Sequence, residues 1–151
     1  MKLTRRNFIA LSTGTAVVAL GGFKAIPAFA SVDETSKMVS SFTGGKEPAK
    51  GRIVLTAPEI AENGNTVPVS IQVESPMTDD DYVESVIILA EGNPNPGIAT
   101  FHFTPMSGSA TATTRIRLAQ TQNVIAIAKM KDGTTYSDRK EVKVTIGGCG
   151  G

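Results

Sequence analysis

The chain has 151 residues with 15 Lys and Arg against 14 Asp and Glu, a formal net charge of +1, and 40% hydrophobic residues. So even a balance carries no field for gathering nucleic acid or an anionic lipid surface. One histidine and one cysteine exclude a multi-histidine metal site and an internal disulfide.

The first thirty residues place Arg5 and Arg6 before an apolar run from Phe8 to Phe23, then Lys24, then the small-x-small Ala28-Phe29-Ala30. This layout predicts an export signal, residues 1–30, removed after Ala30. The apolar run is short for a membrane span and is interrupted by Ser12, Thr13 and glycines. Thr4-Arg5-Arg6-Asn7-Phe8-Ile9 resembles the twin-arginine translocation signal, which implies export of a folded protein to the bacterial periplasm, with no membrane attachment after cleavage. Cleavage takes away Lys2, Arg5, Arg6 and Lys24 and no acid, turning the formal charge to about −3. The remaining ~120 residues suit a single domain.

Residues 31–51 are polar and carry Gly44, Gly45, Pro48 and Gly51, which predicts a leader and linker. Val32, Val39 and Phe42 fit one face of a short helix there. From Arg52 on, short β-rich runs alternate with turn residues. The runs are RIVLT, TVPVSIQVE, VESVIILA, IATFHFT, ATATTRIRL, NVIAIAKM, TTYS and EVKVTI, with SDRK as the break between the last two. Val67, Val69, Ile71 and Val73 alternate with polar or small residues, as do Ile116 and Leu118, and Val142, Val144 and Ile146. Period-two runs bury one face of a sheet. Seven or eight such strands without a strong helical period predict an all-β fold over 52–146, an antiparallel immunoglobulin-like β-sandwich, with a small barrel as the alternative. Asn63-Gly64 and Asp132-Gly133 are tight-turn signals because both tolerate positive φ.

Catalysis needs converging groups: a base beside a nucleophile, paired carboxylates or several metal ligands. His102 alternates with Phe101 and Phe103 and reads as a solvent-facing strand residue. Asp79, Asp80 and Asp81 follow Pro76 without the spaced acid and glycine of a calcium loop, so they read as a solvated turn. The proline-rich EGNPNPG reads as a stiff strand connection. Arg115 and Arg117 share a strand face and could pair across the sheet or on a partner.

The tail is different. After Ile146 come Gly147, Gly148, Cys149, Gly150 and Gly151, so residues 147–151 form a flexible arm whose only functional side chain is a thiol. Glycines free the backbone and have no bulk to clash with a narrow channel. With no Lys, Arg or His in the arm, the thiol has no local activation and is mostly protonated at neutral pH. Activation must come from a pocket that receives it, so Cys149 reads as an attachment point for covalently carried substrate. Prenylation needs the cysteine fourth from the end, and Cys149 is third. A metal site lacks companion ligands. A di-glycine terminus resembles ubiquitin-like proteins, whose activation needs ATP. Oxidation to a disulfide dimer is chemically easy, which keeps open a structural or adhesive exported β-sandwich that dimerises through Cys149.

The terminal IGGCGG, joined to APEIAENGNTVPVSIQVESPM, NPNPGIATFHFTP, TRIRLAQTQNVIAIAKMKDG and EVKVTI, resembles the SoxY family of sulfur carriers in the periplasmic thiosulfate-oxidising system. The resemblance implies a carrier that is not itself an enzyme, paired with a SoxZ-like subunit, with Cys149 holding the substrate throughout. It further implies that a haem protein joins thiosulfate to the cysteine as an S-thiosulfonate, a manganese-dependent hydrolase releases sulfate, and a sulfur dehydrogenase oxidises the remaining sulfane sulfur. Haem, molybdenum cofactor and manganese belong to those partners, and the chain itself would carry no cofactor.

Overall fold

The computed structural model describes residues 30–145. One helix and eight strands follow in order: α1 (Ala30–Thr43), β1 (Ile53–Thr56), β2 (Ile60–Ala61), β3 (Val67–Val73), β4 (Val83–Ala90), β5 (Gly97–His102), β6 (Ala110–Ile116), β7 (Gln122–Met130) and β8 (Thr135–Val144), with a short 3-10 turn at Pro105–Ser107. They form the sandwich that the sequence predicts, a three-stranded sheet β1-β3-β6 against a five-stranded sheet β2-β8-β7-β4-β5.

The alternating side chains of β1 and β3 bury Ile53, Leu55, Val67, Val69, Ile71 and Val73 between the sheets. From the facing sheet, Val86, Ile88, Val124, Ala126, Ala128 and Val142 complete that core. β4 and β7 do not alternate, because both of their faces are covered. Ile87, Leu89, Ile125 and Ile127 form a second cluster on the outer face, under Met38, Val39 and Phe42 of α1. This accounts for the near-continuous apolar runs VIILA and VIAIA, which are the pattern of strands buried on both sides.

Four features depart from the sequence reading. The short helix expected in the leader is there as α1, but it is no loose leader: it packs on the sheet through Met38, Val39 and Phe42, and Val32, expected on the same face, is 56% exposed. TTYS and EVKVTI are not two strands: SDRK continues between them as part of the ten-residue β8. Asp138 and Arg139 have partners outside β8, and Lys140 is exposed. The Leu55 amide donates to Asp138 Oδ2 at 2.8 Å, tying β8 to β1 of the other sheet, and Arg139 pairs with Glu91 at 2.8 Å. β2 adds a strand that pairs parallel with β8, so the sandwich is not wholly antiparallel. Two residues with one exposed side chain are too short to give a periodic signal. Finally, Gly64 does not adopt positive φ. It is required by crowding: a Cβ there would lie 2.4 Å from the Leu118 carbonyl oxygen and 3.0 Å from Val144 Cγ1.

Asp132-Gly133 turns as expected, with Gly133 at φ 82°. The Thr134 amide donates to Asp132 Oδ1 at 2.8 Å, and that bond, followed by the Thr134 side chain, holds the Asp132 carboxyl below its usual range.

Candidate functional site

Gly147, Gly148, Cys149, Gly150 and Gly151, the residues expected to form the arm, lie outside the described residues. What the structure describes is the base from which they continue. β8 ends at Val144, and the last backbone groups before the tail are held on two sides. On one side, β2 pairs Ile60 with Lys143 and Ala61 with Val144, the Glu59 carbonyl accepts the Lys143 amide at 2.9 Å, and the Ala61 carbonyl accepts the Thr145 amide at 3.1 Å. On the other, Thr121 Oγ1 accepts the Val144 amide at 3.0 Å, and the Thr121 hydroxyl lies 3.5 Å from the Val144 carbonyl oxygen.

The turns around this base are tied to one another. The Gly64 carbonyl accepts the Leu118 amide at 2.7 Å, linking the β2–β3 turn to the chain leaving β6. Asn93, buried within the proline-rich EGNPNPG loop, donates to the Arg117 carbonyl at 2.8 Å and accepts from the Ala119 amide at 3.0 Å and Gln122 Nε2 at 2.9 Å. Gln122 Oε1 in turn accepts the Gly92 amide at 2.7 Å. A buried amide with partners on both its oxygen and its nitrogen orders the loop that carries it. EGNPNPG is therefore a strand connection, as read from the sequence, and also the brace of this end of the sandwich.

The other residues weighed from the sequence do not converge here. His102 is exposed on β5 opposite Ser85, near the start of β4. Asp79 and Asp80 are exposed before β4, while Asp81 is half-buried against Arg52, whose guanidinium reaches both carboxylate oxygens, at 2.9 and 3.1 Å. That bond to Asp81 raises the Arg52 pKa above its usual value. Because β4 and β8 both run antiparallel to β7, these groups sit at the end of the sandwich away from Val144. Arg115 and Arg117 are exposed and form no salt bridge among the described residues. No group of three or more His, Cys, Asp or Glu side chains is placed to hold a metal among the described residues. No helix among them is long and apolar enough to cross a membrane.

The described structure therefore ends on a strand end held on both sides. Cys149 is four residues beyond Thr145, so its Cα lies within about 14 Å of Thr145 whatever path the chain takes.

A family model described as "Sulfur oxidation protein SoxY" matches residues 39–149. The chain belongs to the SoxY family. It therefore has a role in sulfur oxidation. The chain is similar to the solved structure of the sulfur carrier protein SoxY from Chlorobium limicola f thiosulfatophilum, with a TM-score of 0.61 and 29% identity over 76% of this chain and 98% of that one. It is also similar to the T24K form of superoxide reductase (Neelaredoxin) from Ignicoccus hospitalis, with a TM-score of 0.57 and 22% identity over 64% of this chain and 82% of that one. A putative superoxide reductase from Thermotoga maritima gives 0.53 and 18%, over 69% and 90%. Likeness to the reductases is one of fold alone. No curated protein sequence matches the chain. The SoxY match begins within α1 at residue 39 and runs through to residue 149, the cysteine itself.

The sequence reading missed Thr121, Ala61 and Asn93, which hold the base. Their partners are backbone groups and one side chain of other loops, a relation that leaves no local pattern in the sequence.

Proposed function

We propose that this SoxY-family chain is a covalent carrier of sulfur intermediates in thiosulfate oxidation, with Cys149 as the attachment point and residues 147–151 as the arm. The observation that carries this reading is the family match reaching to Cys149, beyond a strand end held by Ala61 and Thr121. The chain is the substrate of partner enzymes and performs no reaction itself.

In this reading the protein is exported by the twin-arginine route to the periplasm and pairs with a SoxZ-like subunit. A haem enzyme joins the thiol sulfur to the sulfane sulfur of thiosulfate; the electrons leave through the haem, the thiol loses its proton, and a cysteine S-thiosulfonate remains. Water then attacks the sulfonate sulfur at the manganese-dependent hydrolase, releasing sulfate and leaving a persulfide. A sulfur dehydrogenase oxidises that outer sulfur. The carrier contributes presentation: a tether of about 14 Å confines the cargo near each docked enzyme, giving an effective concentration on the order of millimolar or more. Gly147, Gly148, Gly150 and Gly151 keep the thiol's approach narrow, since no side chain widens the backbone on either side of it.

Cys149→Ser tests the reading. The variant, assembled with its partner subunit, should keep the wild-type melting temperature and lose all thiosulfate-dependent electron transfer in the presence of the haem enzyme. Retained turnover, or loss of cooperative unfolding, would refute it.

A further inference from the structure

We propose that Ile60, flanked by Glu59 and Glu62 at the edge of the five-stranded sheet, is the seat on which an enzyme receiving Cys149 rests the rim of its channel; this rests on the carrier reading above. The argument starts from reach. A reacting group must come within about 14 Å of Thr145 plus the length of the cysteine side chain. An active site recessed in a channel consumes much of that length, so the channel mouth must press against the end of the sandwich from which β8 leaves.

One exposed side chain belongs to the strand that holds the base. Four large apolar residues are exposed among the described residues: Val32, Val54, Ile60 and Met106. Met106, 96% exposed, lies between the end of β5 and the start of β6, at the opposite end of the sandwich. Val54 lies on β1 and Val32 on α1. Only Ile60, 58% exposed, belongs to the strand bonded directly to the base of the arm: it pairs with Lys143, and the next residue holds Thr145. It borders a shallow groove of about 460 Å³ with Pro58, Val67 and Pro68. Within β2 it is Ala61 that faces the core, which leaves the Ile60 side chain on the outside.

The flanking charge defines what fits. Glu59 and Glu62 are exposed and form no salt bridge among the described residues. A matching rim presents an apolar socket for Ile60 with basic side chains on either side of it. An apolar anchor surrounded by complementary charge is the usual arrangement for a transient docking site.

The experiment uses the complex with the SoxZ-like subunit, the purified thiosulfate-attaching haem enzyme, and Ile60→Ala, Ile60→Asp and Met106→Asp. Ile60→Asp should raise the KM for the carrier about tenfold and Ile60→Ala about threefold with kcat unchanged, the split expected when docking and not chemistry is impaired. Iodoacetamide should alkylate Cys149 at the wild-type rate in every variant, and Met106→Asp should behave as wild type. A KM within about twofold of wild type for Ile60→Asp overturns the seat, as does an equal rise in Met106→Asp. Loss of assembly with the SoxZ-like subunit in Ile60→Asp also overturns it, assigning the patch to that subunit instead. If wild-type protein accepts no sulfur on Cys149, the carrier reading itself fails and takes the seat with it; the other outcomes leave that reading intact.

Discussion

Thr121 faces the last described turn of backbone before the glycine tail, and its hydroxyl is the group that accepts the Val144 amide. Replacing it with valine keeps the side-chain shape and removes that acceptor. Thr121→Val is expected to cost about 1 kcal/mol, the usual net worth of one hydrogen bond. The Val144 and Thr145 amides should exchange with solvent faster than in wild type, while those of β7 do not; unchanged exchange at Val144 would mean that β2 alone fixes the strand end. Gly64 illustrates how a residue can be legible for the wrong reason. The Asn63-Gly64 pair predicts a turn, and a turn is there, with the Asn65 amide donating to Asn63 Oδ1 at 2.9 Å. The glycine is nevertheless needed for its missing Cβ, which lets the turn lie against Leu118 and Val144. Local sequence carries the turn signal and cannot carry a clash with residues fifty or more positions away.

At the scale of elements, the strand runs were legible because one-sided burial writes itself as period two. β3 is the clearest case, every second residue from Val67 to Val73 being buried. α1 was legible only in part, since Val39 and Phe42 give its packing face while polar residues dominate the rest of it. The second signal for α1 was in β4 and β7, whose unbroken apolar runs require a cover on the outer face. Leu89, fully buried between that face and the helix, is the place to test the cover. Leu89→Ala should destabilise the protein by about 2–4 kcal/mol, read as a shift of the urea midpoint at constant m-value. A change below about 1 kcal/mol would mean that α1 does not hold that face in solution. β8 escaped the sequence reading for a related reason: Asp138 and Arg139 resemble a turn until their partners, Leu55 on β1 and Glu91 in the β4–β5 loop, are known.

Across the whole molecule, the two ends of the sandwich differ. One carries the β7–β8 turn, the acidic run 79–81 bonded to Arg52 and Lys131, and exposed Met106. The other carries the braced loops 62–66, 91–96 and 117–121 and the point at which β8 passes into the tail. A thiol-borne site was legible as an expectation from GGCGG alone, residues that lie outside the described ones. Its surroundings were not, since Ile60, Thr121 and Asn93 meet only when β2, the chain before β7 and the β4–β5 loop come together in space. The claim on which the rest depends is that sulfur travels on Cys149. Mass spectrometry of the tryptic peptide starting at Val144, taken from protein isolated from its thiosulfate-grown host without reductant, tests it most directly. The carrier account predicts thiosulfonate or sulfane-sulfur adducts on Cys149 that dithiothreitol removes; a peptide found only as the unmodified thiol or as a disulfide-linked dimer would contradict it.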